Sequence, residues 1–396
     1  MKKLLIIGAG FLQNFIIKKA SEMGYVTYVV DANPNSVGFK NANHFEVIDI
    51  TNKEKCLDYA MKHKVDGVLT VSTDYGVLTA SYIAKCMNLP GLDYKVAKII
   101  KNKFEVRKIL SDNNIDDMDK AYLVDDTTDF SSIIGKIKLP VMVKPCDGSG
   151  SRGASKVSSI SNLETACREA IESSITGRAE IETFIDGREY GVESIVDNGE
   201  IYVLGIMEKL MTKPPLYSEL GHCIPSNLDY EIEKKISNYV KNAIRVLGIN
   251  TGSVNMDIII NEENKIYIID IGARMGGNMI GPSLIPLGTG IDYMAAVIKN
   301  ALGESIDLTP LNKMSVASRL LAFDGGSIKK LPDIKRFEKR YDVQVYHKLK
   351  EGIEVKPYQT NVDGYGYIIA EDITREKALA KVNLALENLR DIIFNG

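Results

Sequence analysis

Between Leu4 and Met87 short apolar runs alternate with stretches of helical spacing, and few architectures accommodate that rhythm. Leu4–Ile7, Val26–Val30, His44–Ile48 and Gly67–Val71 read as strands. Phe11–Met23, Lys53–His63 and Val77–Met87 read as helices between and after them. Repeated βα units of this length predict a parallel sheet covered by helices. The opening apolar run stops at Gly8 after four residues, so it predicts a buried first strand rather than a secretion signal. Leu89-Pro90-Gly91 punctuates the end of the unit.

The rhythm then changes. Tyr94–Ser111 has helical spacing, and Ala121–Val124 and Pro140–Lys144 read as strands around a helix-like Phe130–Lys136. Ala179–Phe184, Tyr190–Val196 and Ile201–Met207 alternate like antiparallel strands, with Asp186-Gly187 and Asp197-Asn198-Gly199 as the turns. Tyr230–Leu247 is a helix by period, and Val254–Ile260 with Lys265–Ile271 predicts a hairpin around Asn261–Asn264. The tail from Met314 adds strands and a last helix near Glu376–Ile392. At 396 residues the chain exceeds one ordinary core and predicts two or three folding units.

Composition narrows the function classes. Hydrophobic residues at 45% and charged residues at 26% are the balance of a soluble globular protein. A net charge of −3 supplies no overall basic field for nucleic acid. No apolar run reaches the roughly 18 residues that cross a bilayer. The five cysteines form no CxxC pair, which argues against a disulfide scaffold or a zinc site and fits a reducing cytoplasm. The four histidines lie far apart in sequence, which argues against a histidine metal centre.

Four motifs carry chemistry. Gly8-Ala9-Gly10 with Asp31 resembles a dinucleotide turn, but Gln13 takes the third glycine's place, so a plain tight βα turn is the better reading. The strand Val141-Met142-Val143 delivers Lys144-Pro145-Cys146 and then Asp147, Gly148, Ser149, Gly150, Ser151, Arg152 and Gly153. Small residues let backbone N–H groups wrap a phosphate and Lys144 supplies charge beside them; the alternative is a mobile hairpin tip. Asp257 and Asp270 each lie inside an apolar β-run. Acids there are costly unless paired or bound to a cation, and hairpin-linked acids would hold magnesium together. Solvent-facing strand ends are the alternative. Arg274-Met275-Gly276-Gly277-Asn278 follows directly and brings a guanidinium to the second acid. Finally, Glu182-Thr183-Phe184-Ile185 offers an extended edge to a purine, with Glu189 placed for ribose hydroxyls; an ordinary acidic hairpin is the default.

In this order the pieces resemble the ATP-grasp superfamily over nearly the whole chain. The likeness is nearest to its carboxylate–amine ligases, such as L-amino-acid ligases, with carbamoyl-phosphate synthase large subunits more distant. The resemblance implies an α/β and α+β fold. It would comprise a Rossmann-like domain over 1–93, a two-lobed nucleotide clamp over 94–300 and an α+β cap over 301–396. It implies Lys103 and Lys144 as phosphate-binding lysines, with 147–153 as the loop over the phosphates. Glu182 to Ile185 would be the adenine hinge and Glu189 the ribose acid. Asp257 and Asp270 would bind Mg²⁺ (or Mn²⁺), and Arg274 would steady an acyl phosphate. Glu219 and His222, in Pro214–His222, and Gly276 and Gly277 would face the substrates. Many members carry E-x-N-P-R where this chain has Asp270-Ile271-Gly272-Ala273-Arg274. Gly272 lacks the oxygen that often binds a second magnesium, which leaves one-metal and two-metal occupancy both open.

The implied activity is a cytoplasmic ligase, a homodimer by family habit, that joins a small carboxylate to an amine through an acyl phosphate. A carboxyphosphate- or carbamate-forming enzyme, a nicotinamide-dependent oxidoreductase and a non-catalytic ATP-binding module remain the rival readings.

Overall fold

The computed structural model describes residues 1–116, 118, 120–148, 150, 152–214, 216–360 and 363–396. The N-terminal alternation folds as expected into a parallel sheet. Its order is His44–Val47, Val26–Asp31, Lys3–Ile7, Gly67–Leu69. At its first turn the Ala9 amide donates to the Asp31 carboxylate (2.7 Å), and the Gln13 amide donates to the Val71 carbonyl (2.7 Å). Asp31 and Gln13 thus occupy the donors and the space that a dinucleotide's pyrophosphate needs, and the turn is the tight βα turn.

The span Tyr94–Ser111, expected as one helix, is two: Tyr94–Ile100 and Lys103–Asp112. Asn102 accepts from the Glu105 amide and starts a new helix, because a capping side chain satisfies N–H groups that a continuous helix leaves to its own carbonyls. The break makes Lys103 a first-turn residue, and its amide donates to the Cys146 carbonyl (2.8 Å).

Two antiparallel sheets follow. The smaller has the order Tyr122–Asp125, Arg178–Thr183, Val141–Pro145, Ser155–Val157, and helix Leu163–Ser173 covers it. The larger has eight strands: Ile266–Gly272, Gly252–Ile260, Arg188–Asp197, Glu200–Met211, Glu219–Ile224, Ser315–Leu320, Gly366–Asp372 and Gln344–His347. Helix Tyr230–Val246 buries Ile236, Val240 and Ile244 against one end of it, and helix Arg375–Asn395 buries Val382, Ala385 and Leu389 against the other. The large sheet runs through the position of the expected 300/301 boundary, because Ser315–Leu320 pairs with Glu219–Ile224 and so joins the last three strands to the sheet that holds the acids' hairpin.

One expected turn is corrected. Asp197-Asn198-Gly199 does close a hairpin, with both Asn198 (φ 49°) and Gly199 (φ 82°) in the left-handed region its turn requires. Asp186-Gly187 does not. The strands on either side of it belong to different sheets, and the chain crosses there from the small sheet to the large one. Alternation specifies a strand and its buried face but not the partner strand. Gly187 permits the crossing, since a Cβ there would lie 2.3 Å from the Ile260 carbonyl oxygen.

The N-terminal sheet is not a separate body. Leu4, Ile6 and Ile17 share one core with Ile285, Tyr293 and Ile298, and Val71 bridges Met275 in parallel. Among the described residues no helix is long and apolar enough to cross a membrane.

Candidate active site

A cleft of about 350 Å³ gathers side chains from the N-terminal loop, the small sheet and the large sheet. It draws together most of the expected residues. Lys103, Lys144, Gly148, Gly150, Arg152, Glu189, Glu219, His222, Asp257, Asp270, Arg274 and Gly277 all line it. Ser149 and Ser151 lie outside the described residues. The remaining expected residues, Asp147, Gly153, Glu182, Thr183, Phe184, Ile185 and Gly276, do not line it. The Asp147 carboxylate accepts from the Ser174 hydroxyl (2.9 Å) and the amides of Ile175 (3.1 Å) and Thr176 (2.8 Å), tying down the loop's base. Gly153 turns the loop at φ 69°. Glu182 and Thr183 end their strand. Phe184 and Ile185 enter the crossing, with the Lys156 ammonium 3.9 Å from the Phe184 ring centre. Gly276 gives its amide to Glu193 (3.0 Å) rather than to the cleft.

Lys144 is held by acids from its own sheet. Its Nζ lies 2.6 Å from Glu182 and 3.5 Å from Glu180, and it donates to the Ile269 carbonyl (3.1 Å). Burial alone would strip its proton, but Glu182 and Glu180 outweigh burial and hold the ammonium charged. Glu182 is also bonded by Arg107 (3.2 Å), which pairs with Asp116 (2.6 Å) and donates to the Ile268 carbonyl (2.6 Å). Burial pushes Glu182 up, yet Lys144 and Arg107 together keep it below the usual range. Glu180 receives less compensation and is pushed up to about 7 by burial and by its neighbour Glu182. Arg107 and Asp116 carried no motif in the sequence. Their neighbour Asn102 did carry a signal, a capping residue three before a glutamate.

The hairpin places Asp257 directly opposite Asp270, so both carboxylates leave the same face of the sheet. Each already holds a cation. Lys103 contacts Asp270. Lys209 reaches Asp257 (3.1 Å), Glu219 (2.5 Å) and Glu189 (3.3 Å). Burial pushes Asp257 up to about 6, only partly offset by Lys209, because Glu219, Asp270 and Glu189 crowd it with like charge. For Asp270 the opposing lysines win over burial, and it stays below the usual range. Two adjacent carboxylates that attract cations suit a divalent ion. Among the described residues no third His, Cys, Asp or Glu completes a set able to hold one alone, so phosphate or water would supply the remaining oxygens. Lys209, only 3% exposed, was missed. Lys209 lies two residues past the run Ile201–Met207, and the strand's extension to Met211 buries it where a lysine is costly without acidic partners.

Arg274 is gripped from two sides. Its Nε donates to Asp74 Oδ1 (2.9 Å) and its Nη2 to Asp74 Oδ2 (3.3 Å), while Nη1 donates to the side-chain amide oxygen Oδ1 of Asn255 (3.3 Å). Asn255 donates in turn to Glu193 (2.9 Å), whose other oxygen accepts from Tyr293 (2.6 Å) and the Gly276 amide. Glu193 is fully buried and pushed up to about 7 by desolvation, against those hydrogen bonds. Burial would raise Asp74, but the guanidinium overrides it and holds the carboxyl near 2. On the far wall Asn278 donates to Glu219, Tyr367 donates to Asn278 (3.0 Å), and His222 is pushed down to about 4 by burial, which keeps the imidazole neutral. Arg152 of the loop donates to the Tyr75 hydroxyl (2.5 Å), so loop and N-terminal domain touch.

Residues 137–282 match the ATP-grasp domain family. The protein y4rH of Sinorhizobium fredii is 24% identical over 91% of this chain and 76% of its own length. A D-alanine–D-alanine ligase of Cupriavidus pinatubonensis is 26% identical over 46% of this chain, which spans 58% of that relative. Among solved structures, the L-amino acid ligase of Bacillus licheniformis superposes with a TM-score of 0.84 over 98% of both chains at 23% identity, a likeness of fold. Residues 137–282 of this chain thus carry the match to the ATP-grasp domain family, and the chain as a whole shares the fold of the ligase it superposes on.

Proposed function

We propose that the chain is an ATP-dependent carboxylate–amine ligase that works through an acyl phosphate. One observation carries this reading: a carboxylate pair, two lysines and a braced arginine converge on one cleft beside a glycine-rich loop. In this reading the ATP phosphates lie against Lys144, Lys103 and the loop at Gly148–Gly153. The adenine lies at the crossing near Glu182–Ile185 and the ribose near Glu189. Asp257 and Asp270 hold Mg²⁺, which when bound neutralises charge that develops during phosphoryl transfer. Lys103 then exchanges Asp270 for a phosphate oxygen.

The substrate carboxylate attacks the γ-phosphorus and ADP leaves. The amine attacks the acyl carbon and phosphate leaves, with Arg274 N–H groups facing the oxyanion. The loop, closed on Tyr75 through Arg152, excludes the water that would hydrolyse the acyl phosphate. The test is ADP release by the pure protein with Mg-ATP across amino acids, hydroxy acids and bicarbonate, each with and without a second amine. Release that requires one carboxylate and one amine supports the reading. Release with bicarbonate alone moves the chain to carboxyphosphate chemistry, and a bound nicotinamide without ATP turnover overturns it.

Metal binding on Asp257 should depend on pH. The carboxyl is pushed up to about 6, so it is a carboxylate above that pH and protonated below it. Proton and metal compete for the same oxygens. Apparent Mg²⁺ affinity is therefore expected to be flat from pH 8 to 7 and to fall towards about tenfold per pH unit below 6. Asp270, held low by its lysines, stays charged across this window. Manganese titration followed by electron paramagnetic resonance at pH 5 to 8 reads it directly, and an unchanged affinity at pH 5 would remove Asp257 from the metal site.

A further inference from the structure

We infer that Gly272 is bare so that Asp74 of the N-terminal domain can clamp Arg274, and that Asp74 is a positioning residue for that guanidinium. The inference deepens the ligase reading and rests on it for its kinetic arm alone. A Cβ at residue 272 would lie 2.9 Å from Arg274 Cζ, 3.0 Å from Asp74 Oδ1 and 3.1 Å from Arg274 Nη2. The ion pair therefore fills the volume that a side chain on this strand would occupy. The requirement is for space, since Gly272 is not among the residues with positive φ. An asparagine there would not add a metal ligand to the present site; it would push Arg274 off Asp74.

A second set of contacts shows that the clamp is built. The Ser72 amide donates to the Met275 carbonyl (3.0 Å) and its hydroxyl to the Gly276 carbonyl (3.0 Å). Ser72 sits at φ 56°, a strained backbone for serine that these contacts hold in place. The stitched segment delivers Asp74 to the Nε–Nη2 edge of Arg274, a bidentate geometry that sets the plane of the guanidinium. Asn255 takes the Nη1 side. With both edges held, the arginine keeps its remaining N–H groups on the cleft without reorganising during reaction. The N-terminal domain, by this account, completes the catalytic arginine.

The experiment compares Gly272→Ala, Gly272→Asn, Asp74→Asn and the Gly272→Ala/Asp74→Asn double variant in the full chain. The first readout needs no turnover: the Nε–H signal of Arg274 in protein carrying nitrogen-15 arginine. It is expected among the slowly exchanging signals of the wild type and lost from them in every variant. The second is ADP release. Each single variant is expected to lower kcat by up to about 100-fold, with KM for ATP within about twofold. The double variant should be no worse than the poorer single, as for changes that break one contact. Gly272→Ala is the mildest change and serves if another variant does not fold, with melting curves confirming the native state. A persistent Nε–H signal in Gly272→Asn, additive losses, or a second bound Mg²⁺ in that variant would overturn the inference. If the wild type releases no ADP with any substrate pair, the ligase reading fails, while the Nε–H result still decides the clamp.

Discussion

Asp257→Asn is expected to lower kcat for ADP release by on the order of 1000-fold while leaving the chain folded. The substitution keeps shape and strand register but removes the charge that would hold the metal. Metal stabilisation of phosphoryl transfer is worth several kcal/mol, and each 1.4 kcal/mol is about tenfold in rate. The fold should persist, because Lys209 keeps Glu219 at 2.5 Å and Glu189 at 3.3 Å as partners. Initial rates of ADP release across a Mg²⁺ titration check it, and a wild-type rate from a folded variant would sink the assignment of Asp257. Neutralising Asp257 also relieves its repulsion with Glu219, Asp270 and Glu189, so a loss of rate reports on ligand chemistry rather than on a collapsed site.

Arg107→Met should be the most damaging single change to stability, by about 3–5 kcal/mol. Arg107 joins Glu182 of the small sheet, the Ile268 carbonyl of the large sheet and Asp116 beyond its own helix, and both acids are almost fully buried. Methionine fills much of the volume but leaves Asp116 without its ion-pair partner and Glu182 with Lys144 alone. An uncompensated buried charge costs far more than the pair contributes. The midpoint of thermal or urea unfolding measures the effect, and Asp116→Asn in the same chain should return part of it. A shift equivalent to less than about 1 kcal/mol would show that the cluster is well solvated. Because the same Glu182 holds Lys144, the variant should also weaken stabilisation by ATP, measured as a smaller rise in melting temperature.

The features that could be read from the sequence are those whose cause is local. The βα alternation of Leu4–Met87 could bury its apolar runs only in a covered parallel sheet, and that sheet is present. The runs holding Asp257 and Asp270 needed only a short connection at Asn261–Asn264 to bring the acids together, and they are register partners. Lys144 and the small residues after it are contiguous, so their conjunction was visible. Asn102, three residues before Glu105, also carried its break signal locally, although helical period alone hid it.

The rest was decided by contacts between residues far apart in the chain, which leave no periodic trace. Asp74 and Arg274 are separated by 200 positions, and Arg107 and Ile268 by 161. Nothing near Asp186-Gly187 indicates that the chain changes sheet there, because alternation records which face is buried and not which strand lies alongside. Sequence alone determined the parallel first sheet, the long helices Tyr230–Val246 and Arg375–Asn395 and the hairpin of the two acids, since hydrophobic period acts over a few residues. Tertiary structure alone decided which lysine faces which acid, what fills the space at Gly272, and that the first domain reaches into the cleft, since packing and charge pairing act through space.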